Sequence, residues 1–212
     1  MNKLIKAIVS AAVLSLLSMQ ASAGVIFSFI ETGGNVEMQT SGSLNTENLV
    51  ETSSFGVWSG IGIETNAAPQ SDIMGDTINS PTDIGFGFSD GTDLSPWIGD
   101  LFTLSRFGLI RTGTTSFTTY VRPNGVRTPG ISMVESDIVN GFWTPDVSWL
   151  SVGSTFADFG LIEGDYTITD IQTGEFISII VGDPNVEVNS PATLALMGLA
   201  LFGLGFVRKR AQ

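Results

Sequence analysis

The sequence predicts an all-β protein, an antiparallel β-sandwich or jelly roll, flanked by an N-terminal signal peptide and a C-terminal transmembrane helix. Residues 24–187 contain 20 Thr but only three Ala, a composition that favours strands over helices. Short segments of apolar or alternating residues recur along this region, separated by Gly, Pro, Asn and Asp. They do not alternate with helical patterns, which is typical of an all-β domain.

The first 23 residues have the features of a secretory signal peptide. Lysines within Met1–Lys6 supply positive charge, and Ala7–Leu17 form an apolar segment that is too short to span a membrane stably. Ala21-Ser22-Ala23 matches the small-residue pattern of a signal cleavage site. We therefore expect cleavage between Ala23 and Gly24, and export of the remaining chain.

Seven segments in the first two thirds of the exported region are predicted to be strands. In the second of them, Val36, Met38 and Thr40 alternate with polar residues, which is the pattern of a half-buried strand. One short helical turn is predicted at Ser154–Phe159, where two Phe residues are spaced three apart. The predicted strands are Val25–Ile30, Val36–Ser41, Phe55–Ile63, Ile84–Phe88, Leu101–Ile110, Phe117–Val121 and Ile131–Val134.

The clearest predicted hairpin closes the exported region. Tyr166–Ile171 and Phe176–Val181 are its strands, and Gln172-Thr173-Gly174-Glu175 is the turn, in which Gly174 is free to adopt a positive φ. Phe176–Val181 is almost continuously apolar, and such a run predicts a central strand that is covered on both faces.

The charge of residues 24–187 limits the partners of this protein. They carry all 21 Asp and Glu of the chain against four Arg and no Lys, a net charge of −17. Such a surface repels nucleic acid and anionic lipid, and it favours solubility or cation binding. The chain has no Cys and no His, so disulfides, thiolate chemistry and the commonest general base and metal ligand are excluded.

Residues 188–212 form a second targeting segment. Pro191–Val207 is uncharged and rich in Leu, Phe and Gly, and its 17 residues are at the lower limit for a membrane-spanning helix. Arg208, Lys209 and Arg210 follow directly, and basic residues beside a span remain on the cytoplasmic side. We therefore expect a membrane anchor that leaves residues 24–187 outside the cytoplasm.

This tail resembles a PEP-CTERM sorting signal. The resemblance rests on Pro191, Ala192 and Thr193 at the start of the apolar segment and on the basic cluster at its end. Asn189-Ser190-Pro191 stands where the family has Pro-Glu-Pro. The resemblance implies transient anchoring in a bacterial inner membrane, processing by an exosortase-like protease, and delivery to the cell surface or extracellular matrix.

Asp90 and Asp93 are the candidate metal ligands. They flank a Gly-containing turn, and closely spaced carboxylates suit Ca²⁺, which takes about six to eight oxygen ligands. Their spacing matches no known calcium-loop motif, and Asp and Gly are also common turn formers, so an ordinary turn is the alternative. Four further acidic residues lie nearby in sequence: Asp72, Asp76, Asp83 and Asp100.

Trp143 and Trp149 are the candidate carbohydrate platform. They lie in Gly141–Trp149, the most distinctive stretch of the exported region, and exposed Trp rings can stack on sugars. The alternative is that both rings fill the core, as Trp usually does in a domain without disulfides.

We expect an exported surface or matrix protein with a structural or carbohydrate-associated role, in the second case with exopolysaccharide as its partner. No catalytic activity is expected, because the sequence lacks the Gly-x-Ser-x-Gly and Ser-x-x-Lys motifs of nucleophilic enzymes. The alternative is an extracellular glycoside hydrolase. Such an enzyme requires two carboxylates about 5–10 Å apart in a cleft.

Overall fold

Two β-sheets make up most of the protein that the structure describes. A computed structural model describes residues 23–53, 61–66, 71–97, 110–120 and 130–182. One short α-helix, α1 (Phe156–Phe159), lies among them. The strands are β1 Gly24–Thr32, β2 Asn35–Asn45, β3 Val50–Ser53, β4 Ile61–Asn66, β5 Ser71–Asp76, β6 Ile84–Gly87, β7 Ile110–Thr112, β8 Phe117–Tyr120, β9 Gly130–Met133, β10 Ile138–Val139, β11 Phe142–Trp143, β12 Ser148–Val152, β13 Gly164–Thr169 and β14 Phe176–Val181.

The first sheet is built around β1 and β2. Its strand order is β10-β11-β2-β1-β14-β13, and β12 pairs with both β2 and β7. β1 pairs with β2 in antiparallel fashion, but it pairs with β14 in parallel. The prediction of a wholly antiparallel sandwich is therefore wrong at this one described pairing. The two strands lie at opposite ends of the exported chain, and the long connection between them leaves either direction open.

The second sheet is antiparallel throughout its described strands. Its order is β3-β6-β9-β8-β5-β4. The two sheets meet through aromatic side chains: the rings of Phe27 on β1 and Phe117 on β8 stack with a centroid separation of 4.8 Å. Alternate residues of β1, including Val25, Phe27 and Phe29, are fully buried at this contact. The common core therefore lies between the sheets.

The predicted hairpin and helical turn are confirmed. β13 and β14 pair as expected, Gly174 in their turn has a φ of 76°, and β14 lies between two strands and is buried along most of its length. α1 begins after Thr155, whose backbone N–H donates to Asp158 at 2.8 Å, and it ends at Gly160 in the left-handed conformation.

Several short strands were not predicted. β3, β5 and β10–β12 have few residues each, and a periodic pattern is hard to recognise over so few positions. The predicted strands Phe55–Ile63 and Leu101–Ile110 fall mostly outside the described residues.

The predicted signal peptide, but for Ala23, and the predicted tail, 188–212, also lie outside the described residues. In the described part of the chain, no helix has the length and apolar character needed to span a membrane.

Candidate functional site

Asp76 and Arg111 form an ion pair between the two sheets. Asp76 ends β5, opposite Phe117, and its side chain is fully buried. Arg111 Nε lies 2.6 Å from Asp76 Oδ2. The other guanidinium nitrogens donate to the carbonyl oxygens of Gly113 and, at 3.0 Å, of Thr115. All three nitrogens of this largely buried cation are therefore hydrogen-bonded, as a buried charge requires.

Trp149 donates to the same carboxylate. It lies directly opposite Arg111 in the β7–β12 pairing, so both side chains are on one face of the first sheet. Trp149 Nε1 donates to Asp76 Oδ2 at 2.8 Å, and the indole stacks on Phe117 with a centroid separation of 6.1 Å. Asp76, Arg111 and Trp149, which we call the inter-sheet cluster, therefore connect β5 of one sheet to β7 and β12 of the other.

The prediction of a carbohydrate platform at Trp143 and Trp149 is wrong, and the alternative of two core residues is correct. Trp143 is 0% exposed and Trp149 is 1% exposed. Successive side chains of a strand point to opposite faces, so Trp143 points inward from β11 while Phe142 beside it is 41% exposed. The Nε1 atom of Trp143 has no hydrogen-bond partner within the described part of the chain.

Both candidate calcium ligands, Asp90 and Asp93, lie at the surface. Asp93 Oδ1 accepts a hydrogen bond from Ser95 N at 2.9 Å. Hydrogen bonds from the backbone and side chain of Ser95 lower the pKa of Asp93. Asp90 and Asp93 therefore flank a turn in which Asp93 already has a structural role.

The other acidic residues near this turn are engaged elsewhere. Asp76 belongs to the inter-sheet cluster, and Asp83 accepts a hydrogen bond from Glu135 N at 2.7 Å. Asp100 and the side chain of Asp72 lie outside what the structure describes. Across the described ranges, no three acidic side chains are grouped so that they could hold a metal ion. Calcium binding stays a prediction.

The turn between β13 and β14 buries two carboxylates that the sequence patterns did not single out. The Asp170 and Glu175 side chains are each 1% exposed. Asp170 accepts hydrogen bonds from the backbone of Gln172 at 2.9 Å, of Thr173 at 2.8 Å, and of Ser89 on the neighbouring loop. Burial alone would raise the pKa of Asp170, but these hydrogen bonds outweigh it and hold the pKa below its ordinary value.

Glu175 fastens this turn to the end of β2. Its Oε2 atom accepts from Asn45 N at 3.0 Å, and its Oε1 atom accepts from Asn48 Nδ2 at 3.2 Å. Arg111 is the one Lys or Arg side chain in the described ranges, and it pairs elsewhere. The donors to Glu175 in the described part of the chain are therefore neutral groups. Asp and Asn beside a Gly turn were the signal that could have identified this contact.

Comparison with protein-family models, with curated proteins and with solved structures finds no match to this chain. Function must therefore be inferred from the residues of the chain itself.

Of the predicted processing residues, the structure describes Ala23 and Gly24. Gly24 is the first residue of β1, is buried, and pairs with Ser43 of β2 and Phe176 of β14. The remaining processing and sorting residues lie outside the described ranges: Ala21, Asn189, Ser190, Pro191, Ala192, Thr193, Arg208, Lys209 and Arg210.

Proposed function

We propose that this chain is an exported β-sandwich protein with a structural role at the bacterial cell surface or in the extracellular matrix. The observation that carries the proposal is that targeting sequences lie on both sides of the mainly β region. Ala21-Ser22-Ala23 precedes the first strand, and an apolar segment followed by Arg208-Lys209-Arg210 ends the chain. An exosortase-like protease is the partner proposed for the tail.

The buried carboxylates support a structural role over a catalytic one. Asp76 is paired with Arg111, and Asp170 and Glu175 each accept several hydrogen bonds from turns and strand ends. Groups engaged in this way stabilise loops and sheet contacts, whereas a catalytic acid or base must be free to exchange a proton with substrate. The alternative of a glycoside hydrolase gains no support from these three residues.

A carbohydrate-associated role needs a surface other than the two buried Trp rings. Phe142 is the large aromatic residue that is exposed in the described part of the chain, and it pairs with exposed Val139. Exopolysaccharide is therefore retained as a proposed partner of secondary weight, and binding of the exported protein to envelope polysaccharides tests it.

Fractionation of a truncated chain tests the proposed sorting. Deletion of residues 194–212 should release a soluble, folded protein outside the cytoplasm, because the apolar segment and its basic flank are then absent. The full chain should remain in the membrane fraction until it is processed. A truncated protein that stays in the membrane or in the cytoplasm would contradict the proposal.

A further inference from the structure

The predicted cleavage site lies beside a buried carboxylate. β1 and β14 run in parallel with Gly24 opposite Phe176, so the preceding residues Ala23 and Glu175 are at the same level. The backbone N–H of Phe176 donates to the Ala23 carbonyl at 3.2 Å. The Ala23–Gly24 bond is therefore part of the sheet, at the level where the Glu175 side chain begins.

The Glu175 carboxylate occupies the place where β1 stops. Gly24 pairs with Ser43, which is the last β2 residue paired with β1. Two positions further along β2, the N–H of Asn45 donates to Glu175 Oε2 at 3.0 Å, so the carboxylate takes the position of the missing strand partner. Two residues of a strand span about 7 Å, which places the carboxylate within about that distance of Gly24 along the strand direction.

Gly24 is fixed in position by its neighbours. A Cβ atom at Gly24 would lie 2.4 Å from the ring of Phe176, and one at Gly42 would lie 2.2 Å from the Gly24 carbonyl oxygen. The backbone of Gly24 is therefore enclosed from both adjacent strands. A new chain terminus at this residue has little freedom to move away from Glu175.

We propose that cleavage after Ala23 supplies the countercharge of Glu175, an inference that rests on the proposed signal cleavage. Hydrolysis adds one water across the Ala23–Gly24 bond. Ala23 leaves as the terminal carboxylate of the released segment, and the nitrogen of Gly24 becomes an α-amino group. With an ordinary pKa of about 7.7–8.0, this group is protonated at neutral pH and forms an ion pair with the buried carboxylate.

This pairing couples maturation to stability. The cut also removes the Ala23 carbonyl, which leaves the Phe176 N–H to water. The new ion pair more than offsets that loss, because a buried carboxylate with neutral donors gains most from a charged one. The processed chain is therefore more stable than the uncleaved chain, and Glu175 contributes more to stability after cleavage than before it.

The pH dependence has a definite sign. The carboxylate raises the pKa of the Gly24 α-amino group in the folded state, so its contribution is complete below the unfolded pKa and is lost as the pH rises through the folded value. The other titratable side chains near this end of β1, Asp170 and Glu47, are carboxylates, which ordinarily titrate near pH 4. The melting temperature of the processed chain should therefore fall from about pH 8 upward.

The test compares the processed chain with an uncleaved one in the same detergent. Ala21→Leu with Ala23→Leu blocks cleavage, and Glu175→Gln is introduced into both chains. Glu175→Gln should lower the melting temperature by about 2–4 °C more in the processed chain than in the uncleaved one. Asp170→Asn, in the same turn but bonded to Ser89 and Thr173, is the matched control and should lower both equally.

The outcomes separate the two proposals. If the exported chain does not begin at Gly24, as read from its intact mass, both the cleavage and the ion pair are contradicted. If it begins at Gly24 but Glu175→Gln has equal effects in both chains, the ion pair alone is overturned. Should Glu175→Gln fail to fold, the unsubstituted chains decide: loss of stability above pH 8 in the processed chain alone supports the pair, and identical pH profiles overturn it.

Discussion

Arg111 and Trp149 lie directly opposite each other on β7 and β12, and both donate to the same Oδ2 atom of Asp76. Because Asp76 belongs to the other sheet, these hydrogen bonds cross the interface inside an otherwise aromatic core. Aromatic contacts bring the sheets together without fixing their relative position, whereas directional donors to a single oxygen atom do fix it. The inter-sheet cluster therefore determines how the two sheets align.

Arg111→Ala should destabilise the protein by about 3–5 kcal/mol, because it leaves the fully buried Asp76 carboxylate without its cation. Urea unfolding of the exported protein measures this change. Asp90→Asn alters an exposed carboxylate and is the control, with an expected change of less than about 0.5 kcal/mol. Equal stabilities of the Arg111→Ala and Asp90→Asn proteins would show that the ion pair contributes nothing.

Trp149→Phe and Trp143→Phe form a matched pair of substitutions in the core. Both remove a similar volume from a buried site, but Trp149 also loses a hydrogen bond to a charged group, whereas Trp143 Nε1 has no partner in the described residues. Trp149→Phe should therefore cost about 1.5–3 kcal/mol more than Trp143→Phe. A larger loss for Trp143→Phe would contradict the hydrogen bonding described for these rings.

Asp170 should contribute to the acid sensitivity of the fold. Its pKa in the folded protein lies below the ordinary value of 3.8, so its contribution is present above that value and is lost as the pH falls through the folded one. Asp170→Asn should lower the melting temperature at pH 7, and the difference from the unsubstituted protein should shrink below pH 4. A difference that is constant over this range would contradict the assignment.

The strands with strong local patterns could be predicted from the sequence. Phe176–Val181 is apolar on both faces, and the sequence itself therefore indicates a central strand. Its parallel partner β1 could not be predicted, because Gly24 and Phe176 are 152 positions apart and no local pattern encodes pairing over that distance.

The candidate site was predictable only in part, for a similar reason. In the short strand β11, a shift of one residue decides whether Phe142 or Trp143 points outward, and two residues show no periodicity. The union of Asp76 with Arg111 depends on how two sheets pack, which composition alone does not specify. Glu175 is recognisable as a turn residue, but its burial depends on β2.

The folded full-length chain should resist cleavage at Ala23–Gly24. β1 uses its backbone groups to pair with both β2 and β14, whereas a protease must bind the same backbone in extended form. Cleavage therefore requires opening of a central strand, which is as rare as global unfolding. Signal peptidase should cut the unfolded chain at least about tenfold faster than the folded one, and Arg111→Ala should speed cleavage of the folded chain. Equal rates for all three would contradict the position of β1.

The intact mass of the protein recovered from the envelope tests the central claim most directly. Export with removal of the first 23 residues predicts a polypeptide that begins at Gly24, the first residue of β1. The same mass shows whether the C-terminal residues have been removed by a second protease. A protein that retains Met1 and remains in the cytoplasm would contradict export, sorting and the maturation-dependent ion pair together.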